Sequence, residues 1–287
     1  MKRISLAVIT LASASALAAG KSNTEYYFQP ASGAQAVEVK YRMDIRPAKS
    51  ESAGVTTDEK EELNDLYLNY TYGLNENNAV GAEISLGNDK TFSGTNSHTA
   101  TGLGDVHAFY KGISGIWHYG ADLGVNLNKI KIDSATTLQD NRSSGGMSVR
   151  VDGGVLLTSG EINYGASLAY AIPLERQFDN ADVKITGGNI LKIAPFVEYN
   201  WGMGFVGAEL AYNMVSDSTL KAGGTDTTVK GTSYTTLLAN GSYDFTETVT
   251  GLLSLGMGLH PEHDKDATTK AKAYTETIAS LGVRMNF

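Results

Sequence analysis

Glu38, Lys40, Arg42, Asp44 and Arg46 carry charge at every second position, and Val37, Val39, Tyr41, Met43 and Ile45 fill the places between. Period two is the repeat of an extended strand whose faces differ; a helix would scatter the same charges around all sides. Acids and bases on one strand face form a charged wall, which can select solutes by field and size when it lines water. The apolar opposite face suits lipid, as in a membrane-spanning β-barrel.

Other residue sets bear on chemistry. His107 and Asp122 occupy the polar parity of consecutive alternating segments. A two-residue turn at 114–115 places 107 opposite 122 and 111 opposite 118. A His–carboxylate pair can orient a general base, but no G-x-S-x-G occurs and no Ser or Thr is aligned beside the pair. A satisfied hydrogen bond inside the barrel is the expected role. His260-Pro261-Glu262-His263-Asp264, with Asp266, offers imidazole and carboxylate in one connection. Pro261 between the histidines rules out a helix-borne metal motif, so a solvated loop is expected and no metal is assigned. Gly202-x-Gly204-x-x-Gly207 fits the dinucleotide fingerprint formally, yet leads into an alternating strand rather than a helix. Gly20-Lys21-Ser22 resembles the end of a P-loop, but the earlier glycine position holds Ser15. No cofactor is implied.

Segments near 35–46, 63–74, 79–87, 103–113, 116–127, 147–157, 161–172, 190–201, 205–214, 232–243, 248–259 and 272–287 alternate in this way. Leu66/Leu68/Tyr70/Tyr72 and Ile162/Tyr164/Ala166/Leu168/Tyr170 illustrate the apolar parity. Connections near 75–78, 114–115, 158–160, 202–204 and 244–247 are short. Those near 47–62, 88–102, 128–146, 173–189, 215–231 and 260–271 are long and polar. Strict alternation of short and long is the pattern of a transmembrane barrel with short periplasmic turns and long external loops. The predicted fold is all-β: a single antiparallel up-and-down transmembrane barrel of about 12 strands over residues 35–287. Pro195 lacks an N–H, so a local bulge or missing ladder bond is expected there.

Tyr72, Trp117, Tyr199, Trp201, Tyr243 and Phe245 cluster at the short turns on the apolar parity, as interfacial aromatics do. The chain closes with Ala279, Leu281, Val283, Met285 and Phe287 on one parity. This ending resembles the last strand of Gram-negative outer-membrane barrel proteins of porin-like type. The resemblance implies that Leu281, Val283, Met285 and Phe287 are an assembly signal read by the barrel-assembly machinery. Gly102-Leu103-Gly104-Asp105-Val106 is similar to a stretch in some small-solute channels of aromatic-degradation pathways.

Composition bounds the rest. Lys2 and Arg3, the apolar run from Ile4 to Leu17 and Ala16-Leu17-Ala18 read as a cleaved signal peptide over residues 1–18. The formal charge of −8 becomes −10 without them, which disfavours nucleic acid. There is no cysteine, hence no disulfide framework or thiolate chemistry. Residues 19–34 read as a loose periplasmic segment, with entry into the barrel mouth as the alternative.

Twelve strands enclose a bore wider than side chains fill in an eight-stranded barrel. The expected lining is Glu38, Lys40, Arg42, Asp44, Arg46, Asp105, His107, Lys111, Asp122, Arg150, Asp152, Glu198, Glu209 and Arg284, with acids slightly ahead and hence a weak cation preference. The function read from this is passive diffusion of small polar solutes or ions across the outer membrane of a Gram-negative bacterium. Expected partners are outer-membrane lipid, the assembly machinery and the solutes; association into a homo-oligomer is left open. Two alternatives stand: a closed structural or surface-binding barrel acting through its loops, and an outer-membrane hydrolase of lipid or peptide.

Overall fold

A computed structural model describes residues 24–93, 96–126, 129–131, 141–142, 144–179, 182–266 and 268–287. The signal peptide read over 1–18 lies outside them. The barrel strands are β1 (Gln35–Ser52), β2 (Val55–Asn75), β3 (Asn78–Ser93), β4 (Asn96–Ser114), β5 (Trp117–Val125), β6 (Ser148–Ser159), β7 (Ile162–Pro173), β8 (Ile190–Asn200), β9 (Gly204–Val215), β10 (Ser233–Asp244), β11 (Val249–His260) and β12 (Tyr274–Asn286). Each pairs antiparallel with the next, and β12 returns to β1 with Val39 opposite Val283. The sheet is therefore closed, which leaves no wall edge unpaired.

The polarity is inverted relative to a water-soluble protein. Leu66, Leu168, Leu210, Leu255 and Leu281 are among the exposed outer residues, while Asp44, Glu198, Glu209, Glu276 and Arg284 are buried inside. Trp117, Trp201, Tyr243 and Phe245 stand exposed at the short-turn end. Both features follow from period two with lipid outside.

The long connections depart from the sequence reading. Residues 47–62 and 88–102, read as loops, continue as paired strands, with Ser52 opposite Val55 and Phe92 opposite Ser97. The β1–β2 hairpin turns on Ala53 and Gly54, both at positive φ (50° and 79°), the conformation of a tight two-residue hairpin. Beyond the lipid both faces meet water, so the apolar–polar contrast that reveals strands disappears. Connections 173–189 and 215–231, read as solvated loops, contribute Arg176–Gln177, Val183–Gly187, Ser218–Ala222 and Thr225–Val229 to a separate four-stranded sheet above the long-loop end. Residues 269–271 pair with the end of β1.

Two local features explain awkward residues. Between β3 and β4 the register shifts between Ile84/Val106 and Leu86/Leu103, so the Gly102-Leu103-Gly104-Asp105-Val106 stretch forms a bulge. Gly102 has φ +124°, and a side chain at Gly104 would collide with the Ser85 hydroxyl. At Pro195 the β8–β9 ladder skips two pairs between Ile193/Tyr212 and Phe196/Glu209 without changing register. The missing-bond expectation fits; no bulge forms.

Candidate functional site: the barrel interior

Interior side chains form a chain of ion pairs. On β1, Glu38 and Lys40 lie 3.3 Å apart, and Arg42 holds Asp44 through Nε and Nη2 at 2.9 and 2.8 Å. Arg46 reaches across to Glu276 on β12, Nε to Oε1 2.6 Å. Glu276 also contacts His260 at 3.2 Å. His260 is sandwiched between the rings of Tyr234 and Tyr274, with centroids 4.5 and 4.3 Å away. It is thus part of the inner wall at the long-loop mouth rather than of a solvated loop. His263 contacts the Pro261 carbonyl at 3.2 Å, and Asp266 accepts the amides of Thr268 and Thr269. The His/Asp/Glu residues of this segment therefore have separate duties, and no cluster suited to a metal ion occurs among the described residues.

On the opposite wall His107 Nδ1 and Asp122 Oδ1 are 2.8 Å apart. The pairing differs from the sequence reading. Ser114 opposes Trp117 across Gly115 and Ile116, so His107 faces Gly124, Asp122 faces Phe109 and Lys111 faces Gly120. The expected contact forms diagonally. Ser148 Oγ and the His107 ring both crowd the open space over Gly124, but no hydrogen bond joins serine to imidazole. Arg150 Nε lies 3.8 Å from Asp152. Asp105 accepts bonds from the Asn126 side chain and, at 3.4 Å, from the Ser144 amide.

Two segments reach into this space. At the short-turn end residues 24–31 pack inside the barrel, where the sequence favoured a loose tail. Glu198 accepts the amides of Glu25 and Tyr26 at 2.9 and 2.8 Å and the Asn163 side-chain amide at 2.9 Å. Tyr26 lies flat on Phe196, centroids 3.6 Å apart, and its hydroxyl donates to Glu209 at 2.8 Å. Glu209 also binds Lys192 at 2.6 Å. Tyr27 donates to the Tyr119 carbonyl. Arg284 pairs with Glu25 and stacks 3.7 Å from the Phe28 ring centre.

From the β5–β6 connection Arg142 reaches inward to Asp65 and, at 3.0 Å, to Asp89. Its side chain is only 9% exposed. The sequence reading missed Arg142, Glu25, Asp65, Asp89 and Glu276. The run Tyr26-Tyr27-Phe28 was the usable signal for the first segment, since a solvated tail has no need of three aromatics. For the second it was Arg142, the single arginine of residues 128–146.

Space remains around these segments. A cavity of about 340 Å³ borders Phe28, Glu38, Lys111 and Arg284. Another of about 550 Å³ borders Tyr27, His107, Lys111 and Asp152. A third, about 370 Å³, lies near Arg42, Arg46, Tyr234 and Glu276. Tyr26 borders the first two.

At the long-loop end, carboxylates bind the β1–β2 hairpin to the last long connection. Glu51 meets Lys272 at 2.5 Å, and its pKa is lowered by that bond and charge. Glu59 accepts from Ser50 at 2.7 Å and Lys265 at 3.0 Å. Burial pushes the Glu59 carboxyl up, but these two donors and the lysine charge outweigh it and leave its pKa lowered.

No protein-family model and no curated protein matches the chain. Solved structures do. An outer-membrane channel from Pseudomonas putida F1 superposes with TM-score 0.67 over 92% of this chain and 99% of its own, at 14% identity. The monoaromatic hydrocarbon channel CymD gives 0.48 at 10% identity, over 90% of this chain and 89% of its own. A deletion mutant of TodX, also a monoaromatic hydrocarbon channel, gives 0.49 at 10%, over 89% and 91%. At such identities the first likeness establishes architecture: this chain has the closed antiparallel barrel fold of an outer-membrane channel protein.

Proposed function

We propose that the protein is an outer-membrane channel through which small polar solutes or ions diffuse passively, narrowed by residues 24–28 and by Arg142. The observation that carries this is the pairing of an apolar outer belt with a charged, cavity-bearing interior in one closed barrel. An interior lined with ions of both signs lowers the barrier for hydrated solutes, and the inward segments set the size limit. Residues 1–18 would direct export, and the β12 residues Leu281, Val283, Met285 and Phe287 would be read during assembly.

The test is single-channel conductance of the purified protein in a planar bilayer under a salt gradient. Discrete steps with a reversal potential of weak cation preference support the proposal. A folded but silent barrel rejects it. Silence would favour the closed-barrel reading, which the reach of Tyr26 and Arg142 into the lumen supports.

A further inference from the structure

We propose that Lys111 anchors the carboxylate of a small organic acid within the barrel, the acid's apolar body resting against Phe28 and Phe109; this deepens, and rests on, the channel reading. Interior charges are otherwise largely matched. Glu25 has Arg284, Glu38 has Lys40, Asp122 has His107 and Glu209 has Lys192. Glu198 and Asp105 are met by amide donors. Among the interior bases Lys111 is the exception. Among the described residues its ammonium has neither a hydrogen bond nor a carboxylate in ion-pair contact. What it does have is two rings, with centres 5.5 Å (Phe109) and 5.8 Å (Phe28) away.

A half-buried ammonium needs acceptors for its three donors. Ring faces compensate only part of that cost. The unmet donors border open space, because Lys111 contributes to both the 340 Å³ and the 550 Å³ cavity. Gly120 lies opposite it on β5 and adds no side chain to that space.

The surroundings also set the class of ligand. One ammonium offers one positive charge, and the fields of one base, Arg284, and of three acids, Glu38, Glu25 and Asp152, reach it. The acids outnumber the base, so phosphate or a dicarboxylate is disfavoured and a monoanion fits. The flanking phenyl rings favour an apolar body behind the charged head over a small inorganic ion. Phe28 belongs to the N-terminal segment, so that segment completes the site as well as narrowing the bore.

The experiment compares benzoate with benzamide, which has the same ring but no charge, as blockers of single-channel current at constant chloride. Wild type, Lys111→Met and Lys111→Arg are used, each shown to be folded by its heat-dependent gel shift. The proposal expects benzoate but not benzamide to block wild type, Lys111→Met to weaken the block roughly tenfold, and Lys111→Arg to retain it. Equal block by benzamide, or undiminished block of Lys111→Met, overturns the site and leaves the channel intact. A protein without conductance overturns the channel reading instead. Calorimetric titration of benzoate into the detergent-solubilised protein and Lys111→Met then decides the site separately: benzoate binding that depends on Lys111 upholds it, and no such binding overturns it.

Discussion

Arg284, three residues before the C-terminus, holds Glu25 in a two-pronged ion pair, with Nη2 to Oε2 at 2.7 Å. The N-terminal segment is thereby fastened to the strand that closes the barrel. Arg284 is 4% exposed, so its charge has little access to water if Glu25 is lost. Glu25→Gln is expected to destabilise the folded barrel by on the order of 3 kcal/mol, since a buried charge loses its partner. The heat-dependent gel shift should move to lower temperature, and protease should cut within residues 24–31, which the barrel protects in wild type. Unchanged values for both would show that Glu25 does not hold the segment.

Tyr26 separates two cavities and is fixed both by its ring on Phe196 and by its hydroxyl on Glu209. Tyr26→Ala should enlarge the single-channel conductance and admit larger neutral sugars in a liposome-swelling assay. Tyr26→Phe keeps the stack and removes only hydrogen bonds, a loss of about 1 kcal/mol. Its conductance should stay near wild type. Equal conductance for Tyr26→Ala and wild type would place the narrowest point elsewhere.

Arg142 covers Asp65 and Asp89 in the other half of the bore. Arg142→Ala removes one positive charge and uncovers two carboxylates, so the local potential becomes more negative. The reversal potential under a potassium chloride gradient should shift toward stronger cation preference. A shift toward anions would contradict the placement of this side chain in the ion path.

The clasp at the long-loop end should depend on pH. Glu51 and Glu59 both titrate below the ordinary glutamate value of 4.5. A carboxylate with a lowered folded pKa contributes stability that is fully present above its unfolded pKa and is lost as pH falls through the folded value. The clasp is therefore intact at neutral pH and loosens only below about pH 4.5. Hydrogen exchange at residues 47–62 and 261–272, followed from pH 7 to 3 after correction for intrinsic rates, should rise in that window. Glu59→Gln should raise it already at neutral pH.

The legibility of the chain followed the position of lipid. Where one face of a strand meets lipid and the other meets the interior, as from Val37 to Arg46, period two exposed the strand and its orientation. Beyond the lipid the same hairpin runs on through Lys49, Asp58 and Lys60 with polar residues on both faces, and the pattern had nothing to show. Turn geometry was the second blind spot. Placing the β4–β5 turn one residue early shifted every pairing by two positions, although the His107–Asp122 contact survived because luminal side chains also meet diagonally. The third was tertiary: Arg142 and Glu25 lie far along the chain from their partners, and no local rule links Glu25 to Arg284.

The His107–Asp122 pair is where the channel reading and an outer-membrane hydrolase can be told apart. Ser148 shares the space over Gly124 with the imidazole, yet no hydrogen bond connects them, so the serine is not activated in this geometry. His107→Ala removes the hydrogen-bond partner of Asp122, leaves that carboxylate to Arg150 opposite it on β6, and should change conductance. Ser148→Ala should leave conductance within experimental scatter. Neither variant, nor the parent, should cleave detergent-dispersed phospholipid with or without calcium. Hydrolysis by the parent that vanishes in both variants would convert the pair from a wall contact into a general base and displace the channel reading.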